Sequence, residues 1–190
     1  NPEGYWSSTL NENFSSFLAE CHKVAKEENW PFHVDWYAFV SNSGGLSDNG
    51  CSLGIGENDK WFQKNGEPVT DVFFLNYNWG ESQLIKSAEA AKSLGRSTFD
   101  VYAGFDQQGR GYGLKWSALM RQPVSVVVWG AHDRSQLYAS STEGGTSDLA
   151  IQKEYQTKQE LLFTGGTRNV LNTPPVTDAQ VTANLSQLKN

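Results

Sequence analysis

The sequence predicts an α/β fold built on a parallel sheet, and three features predict it. Four short runs rich in β-branched and aromatic residues alternate with segments of helical periodicity. One of them, Asp71-Val72-Phe73-Phe74-Leu75-Asn76-Tyr77-Asn78-Trp79, opens as a continuous apolar run, as suits a strand covered on both faces. Every run closes on polar or aromatic residues that a buried core accommodates poorly. A length of 190 residues is within the range of one domain and is enough to bury a substantial core.

Taken in order, the chain first predicts a helix from Thr9 to about Glu28, with Leu10, Phe14, Phe17, Leu18, Cys21, Val24 and Ala25 along one face. Thr9 and Glu12 have the spacing of a capping box, and Trp30-Pro31 stops the helix. Phe32 to Val40 reads as a strand. Ser41 to Gly56 is rich in Gly, Ser, Asn and Asp and forms a long loop, which leads to the second strand at 71–79. A helix begins near Glu81, carries Leu84, Ile85, Ala88, Ala91 and Leu94, and ends at Gly95. Phe99 to Asp106 is the third strand and Val124 to Trp129 the fourth; helical patterns over 148–163 and 178–188 close the chain.

Composition removes several classes of function. A net charge of −6 argues against sequence-independent phosphate binding, and hence against a nucleic-acid partner. No apolar run approaches the roughly twenty residues of a membrane-spanning helix. His22, His33 and His132 lack metal-ligand spacing, so structural or surface roles are favoured for them. Cys21 and Cys51 make neither a metal site nor a disulfide framework, and Cys21 reads as a small core residue. A nucleophile elbow, a P-loop and a dinucleotide fingerprint are all missing: Gly109-Arg110-Gly111-Tyr112-Gly113 has the wrong glycine spacing. The aromatic content of 13% serves the core and also offers flat apolar faces suited to sugar rings.

The informative regularity is where the unusual residues fall. Tyr37 follows the first strand, Asn76, Tyr77 and Trp79 the second, Tyr102 and Asp106 lie around the third, and Trp129, His132 and Asp133 follow the fourth. In a β/α barrel the C-terminal strand ends form the active face. On its own, Asn1-Pro2-Glu3 reads as a ragged terminus. Beside the other strand ends it reads as the end of a preceding strand, with Asn1 and Glu3 two residues apart and therefore on one face. A carboxyl group in an aromatic, partly dry pocket is suited to general acid work.

These segments resemble successive motifs of the family 85 glycoside hydrolases: Asn1-Pro2-Glu3, Trp36-Tyr37, Phe74-Leu75-Asn76-Tyr77-Asn78-Trp79-Gly80-Glu81, and Asp100-Val101-Tyr102-Ala103-Gly104-Phe105-Asp106 with Gly109-Arg110-Gly111. The resemblance covers roughly residues 1 to 130. It implies an endo-β-N-acetylglucosaminidase that cleaves the chitobiose core of asparagine-linked glycans by substrate-assisted, retaining hydrolysis, one of the exceptions to the two-carboxylate scheme. It implies no cofactor and no metal. Glu3 matches the general acid/base, Asn1 the amide that orients the substrate's 2-acetamido group, and Tyr37 the tyrosine that hydrogen-bonds near the forming ring. Trp79 would be an aromatic wall; Asn76, Tyr77, Tyr102, Asp106 and Trp129 would bind the N-linked glycan or glycopeptide.

The resemblance further implies a (β/α)8 barrel of the TIM type, of which residues 1–190 would be the C-terminal half, strands five to eight, partnered by an N-terminal half of the same enzyme. The sequence departs from the family pattern at Ala38, where an Asp is usual, and at 130–133. It also lacks a tryptophan near Cys51, for which Trp61 is the nearest residue of comparable size. Two rivals remain: a glycan-binding barrel without catalysis, and a chitinase-like enzyme. The second would need an acid two residues before Glu3, where the chain has Asn1.

Overall fold

The computed structural model describes residues 7–37, 40–106 and 116–130. Its first element, α1 (Ser8–Glu27), is capped by Ser7, whose hydroxyl accepts from the Leu10 amide at 3.1 Å. Thr9 is therefore inside the helix, and the expected capping box with Glu12 is not made. Glu12 instead meets Lys64 at 2.6 Å and Lys60 at 3.2 Å, charged donors that outcompete an exposed amide. Asn29, at φ 56°, ends α1 in a Schellman turn, with the Trp30 amide donating to Ala25 O at 2.7 Å.

β1 (Asp35–Tyr37) begins three residues later than the run 32–40. The Asp71 carboxylate takes the Val34 amide and Val34 O takes the amides of Asp71 and Val72, so the pairing with the next parallel strand begins only there. The connection that follows contains a two-stranded hairpin that the sequence reading passed over: β2 (Gln63–Lys64) and β3 (Glu67–Pro68). Asn65 and Gly66 turn it with φ of 52° and 85°. Asn-Gly is the strongest short hairpin signal a sequence offers, and it was present.

β4 (Val72–Leu75), β5 (Val101–Asp106) and β6 (Ser125–Trp129) join β1 in a sheet of order β1-β4-β5-β6, parallel throughout. α2 (Glu81–Ser93) connects β4 to β5 and α3 (Trp116–Arg121) connects β5 to β6. α2 ends as expected at Gly95, φ 71°, again in a Schellman turn from the Arg96 amide to Ala91 O at 2.9 Å. α3 was not anticipated, being shorter than the two to three turns over which periodicity can be read. The C-terminal helices expected at 148–163 and 178–188 lie outside the described residues.

The fold is thus α/β with a parallel sheet, but the described strands form an open sheet and not a closed barrel. Phe73, Leu75, Val101, Ala103 and Phe105 point to the side of α2 and join Leu84, Ala88, Ala91 and Leu119 in one core. Burial of each large side chain there contributes about 1.5–3 kcal/mol. Trp36 and Trp61 extend the core towards α1, stacked at 4.3 Å with 5° between their planes. Residues of opposite parity, Phe74, Tyr102 and Val127, are only half-buried. β4 is therefore not covered on both faces by described residues, although its apolar run predicted that.

Arg96 ties the N-terminal end of this layer together. Its guanidinium donates to the carbonyls of Phe62, Thr70 and Asp71 and to Asp100, and lies 4.1 Å from the centroid of the Phe62 ring.

Candidate active site

Because all four strands of the sheet are parallel, their C-terminal ends share one rim. The register pairs Tyr37 with Phe74, Phe74 with Tyr102, Tyr102 with Ser125, and Asp106 with Trp129. Registered neighbours point to the same side, so these residues all belong to the face opposite α2.

On that face aromatic rings pack edge to face. Tyr37 meets Phe74 at 5.0 Å, Phe74 meets Tyr77 at 5.7 Å, and Tyr37 and Tyr77 are 6.2 Å apart. Gly104 makes this possible: a Cβ there would be 2.6 Å from Leu75 O and would collide with the Phe74 ring. Tyr37 is 42% exposed and Trp129 57% exposed, each offering ring surface at the rim.

Asn76, the first residue after β4, makes hydrogen bonds through both ends of its side-chain amide and through its backbone N–H. Its Oδ1 accepts from the Tyr37 hydroxyl at 2.7 Å and from the Tyr77 amide at 2.8 Å. Its Nδ2 donates to Asn49 O at 2.7 Å, and its backbone amide to Gly50 O at 2.7 Å. The turn that supplies these two carbonyls runs through Asp48, Asn49 and Gly50 at φ 44°, 48° and 73°, three successive left-handed residues. Ser52 Oγ steadies it by donating to the Asp48 carboxylate at 2.8 Å.

Trp79 is placed differently from the expectation. It is 1% exposed, its ring lies edge to face with Phe105 at 5.4 Å, and its indole N–H donates to Gly104 O at 2.8 Å. It supports the rim from beneath and is not a wall of it. Trp61, also 1% exposed, is held in its stack with Trp36 and offers no open face either. Of the other candidates, Tyr37, Asn76, Tyr77, Tyr102, Asp106 and Trp129 gather on the one rim and face. Asn1, Glu3, Ala38, His132, Asp133 and the 109–113 segment lie outside the described residues.

Two described carboxylates have shifted titration. Hydrogen bonds from Lys64 and then Lys60 hold the Glu12 carboxyl below the ordinary range, and Arg121 does the same for Glu81. Both are thereby kept ionised and unsuited to donate a proton. His33 lies 2.6 Å from Asp35 and 3.5 Å from Asp71, and His22 lies 3.7 Å from Asp71, at the opposite, N-terminal ends of β1 and β4. No group of three His, Cys, Asp or Glu suited to a metal ion occurs among the described residues. An apolar groove of about 320 Å³ between α1 and Trp30-Pro31-Phe32, lined in part by Cys21, is likewise at the N-terminal end of β1. No described helix is long and apolar enough to cross a membrane.

Comparison with known proteins bears on this rim. A search of curated proteins found no match. The crystal structure of the Spr0440 glycoside hydrolase domain, Endo-D from Streptococcus pneumoniae R6, resembles the chain with a TM-score of 0.61 at 22% identity. The likeness covers 82% of this chain and 24% of that one, so the chain spans about a quarter of its length, and it speaks to the fold. The family model described as glycosyl hydrolase family 85 matches residues 1–189, a span that takes in every strand end considered above. The chain belongs to glycosyl hydrolase family 85.

Proposed function

We propose that the protein containing this chain is an endo-β-N-acetylglucosaminidase that hydrolyses the GlcNAc-β-1,4-GlcNAc core of asparagine-linked glycans. The observation that carries the reading is family 85 membership over a span that includes Asn1-Pro2-Glu3. The Tyr37–Asn76 pair and the exposed Trp129 on one rim support it.

In this mechanism the substrate's 2-acetamido oxygen attacks C1 and forms an oxazoline-type intermediate, so the protein supplies a single carboxyl group. Glu3 protonates the departing glycosidic oxygen and then takes a proton from the water that opens the intermediate. Asn1 accepts the acetamido N–H and orients that group for attack. Tyr37 hydrogen-bonds beside the forming ring, while Tyr77, Tyr102, Asp106 and Trp129 receive the sugars. The four parallel strands are proposed as strands five to eight of a (β/α)8 barrel, with the half-covered face as its interior. Support comes from their sequential order and from sheet edges at β1 and β6 that have no strand partner among the described residues.

The test is made in the full-length protein with a high-mannose glycopeptide. Glu3→Gln is expected to lower release of the glycan by at least about a hundredfold, the scale of a general acid. Asn1→Ala is expected to block hydrolysis of the glycopeptide while sparing a preformed sugar oxazoline. Unchanged hydrolysis in either variant would sink the assignment. A wild type that binds the glycan and leaves it intact would establish the non-catalytic alternative.

A further inference from the structure

We propose that Asn76 is a positioning residue for Tyr37 and not a sugar ligand, and that the left-handed turn at Asp48-Asn49-Gly50 exists to hold it. The inference rests on the reading of Tyr37 as part of the reaction centre.

The side-chain amide has no freedom of orientation. The Tyr77 N–H can only donate and the Asn49 carbonyl can only accept, so Oδ1 must face the former and Nδ2 the latter. Oδ1 then presents an acceptor to Tyr37 at 2.7 Å, and the phenolic proton is directed to Asn76. A hydroxyl has one proton, so towards other groups on that face Tyr37 presents lone pairs. Asn76 thus sets both where the Tyr37 oxygen sits and its polarity: an acceptor for an N–H or O–H of the sugar. With both lone-pair directions of Oδ1 occupied and one Nδ2 N–H donating to Asn49 O, the second Nδ2 N–H is all of the amide's hydrogen-bonding capacity that these contacts leave.

The turn that holds Asn76 has two successive non-glycine residues at positive φ. Asp48 and Asn49 are non-glycine residues in the left-handed region, each at a cost of order 1 kcal/mol. The conformation points two consecutive carbonyls, of Asn49 and Gly50, at the side-chain and backbone N–H groups of one residue. A loop whose two carbonyls both meet Asn76 fixes that residue beside Tyr37, which accounts for keeping its left-handed geometry.

A double-mutant cycle on the full-length protein separates the roles. Tyr37→Phe and Asn76→Leu are each expected to lower kcat on glycopeptide by about tenfold or more, with KM within about twofold, as when a hydrogen-bonded positioning contact is lost. In the Tyr37→Phe background Asn76→Leu is expected to have little further effect. Asn76→Asp keeps the acceptor for Tyr37 but cannot donate to Asn49 O; it is expected to retain more kcat than Asn76→Leu and serves the same cycle if that variant does not fold. Independent, multiplicative effects, or a rise in KM with kcat unchanged, would overturn the positioning role in favour of direct sugar contact. If Glu3→Gln and Tyr37→Phe slow hydrolysis and the Asn76 variants do not, the positioning role fails and the catalytic reading stands. If none of them slows it, both fail.

Discussion

At the scale of single residues, two tryptophans near the rim have opposite tasks. Trp79 is sealed against Phe105 and uses its indole N–H on Gly104 O. Trp79→Phe keeps most of the volume but removes a hydrogen bond to a buried carbonyl, a cost of about 1–3 kcal/mol. Thermal or denaturant unfolding should therefore show a loss of that size, with KM little changed. Trp129 is the reverse case, with more than half of its surface in solvent at the end of β6. If it receives a sugar, Trp129→Ala should raise KM for glycopeptide several-fold to about tenfold, the scale of a lost aromatic contact, and leave the unfolding midpoint nearly unmoved. A Trp129 variant with unaltered KM would remove it from the binding face.

At the scale of elements, the site depends on how closely β4 and β5 approach. Gly104 has no side chain where Phe74, Leu75 O and Tyr77 converge, so those two rings can lie beneath Tyr37. Gly104→Ala forces the rings or the strand to shift, at a cost of about 1–3 kcal/mol as overpacking usually does. Because the displaced rings support Tyr37, kcat should fall together with stability in this variant, unlike in Trp79→Phe. Unfolding curves and kcat measured on the same preparations would check both parts. The two long helices illustrate how end signals differ in legibility. The Gly95 stop of α2 was plain in sequence, whereas α1 ends at Asn29, which adopts the same left-handed turn with a residue that more often signals other structures.

At the scale of the whole molecule, Glu12 ties α1 to the hairpin through Lys64 and to the segment just before it through Lys60. Lys64 first, and Lys60 after it, hold the Glu12 pKa below its ordinary 4.5. A carboxylate lowered in the folded state adds stability above its unfolded pKa and loses it as pH falls through the folded value. The melting temperature of wild type should therefore exceed that of Glu12→Gln near neutrality, and the difference should close as pH is taken below about 4.5. A constant difference across that range would show that the tether does not depend on the charge. The sequence by itself determined the parallel α/β alternation, the α2 boundaries and the strand ends at which unusual residues collect, because periodicity, helix stops and β-rich runs are local properties. The hairpin at Asn65-Gly66 was equally local and open to the same reasoning. Only the tertiary structure decided which ring at the rim is covered: Trp79 lies beyond the end of β4, where alternation no longer sets direction, and the carbonyl of Gly104 draws it inward. The tertiary structure alone also brought Asn49 and Gly50 to Asn76, and Asn76 to Tyr37, 39 residues away. Such contacts arise from the pairing of β1 with β4, and neither segment carries a local signal of the other.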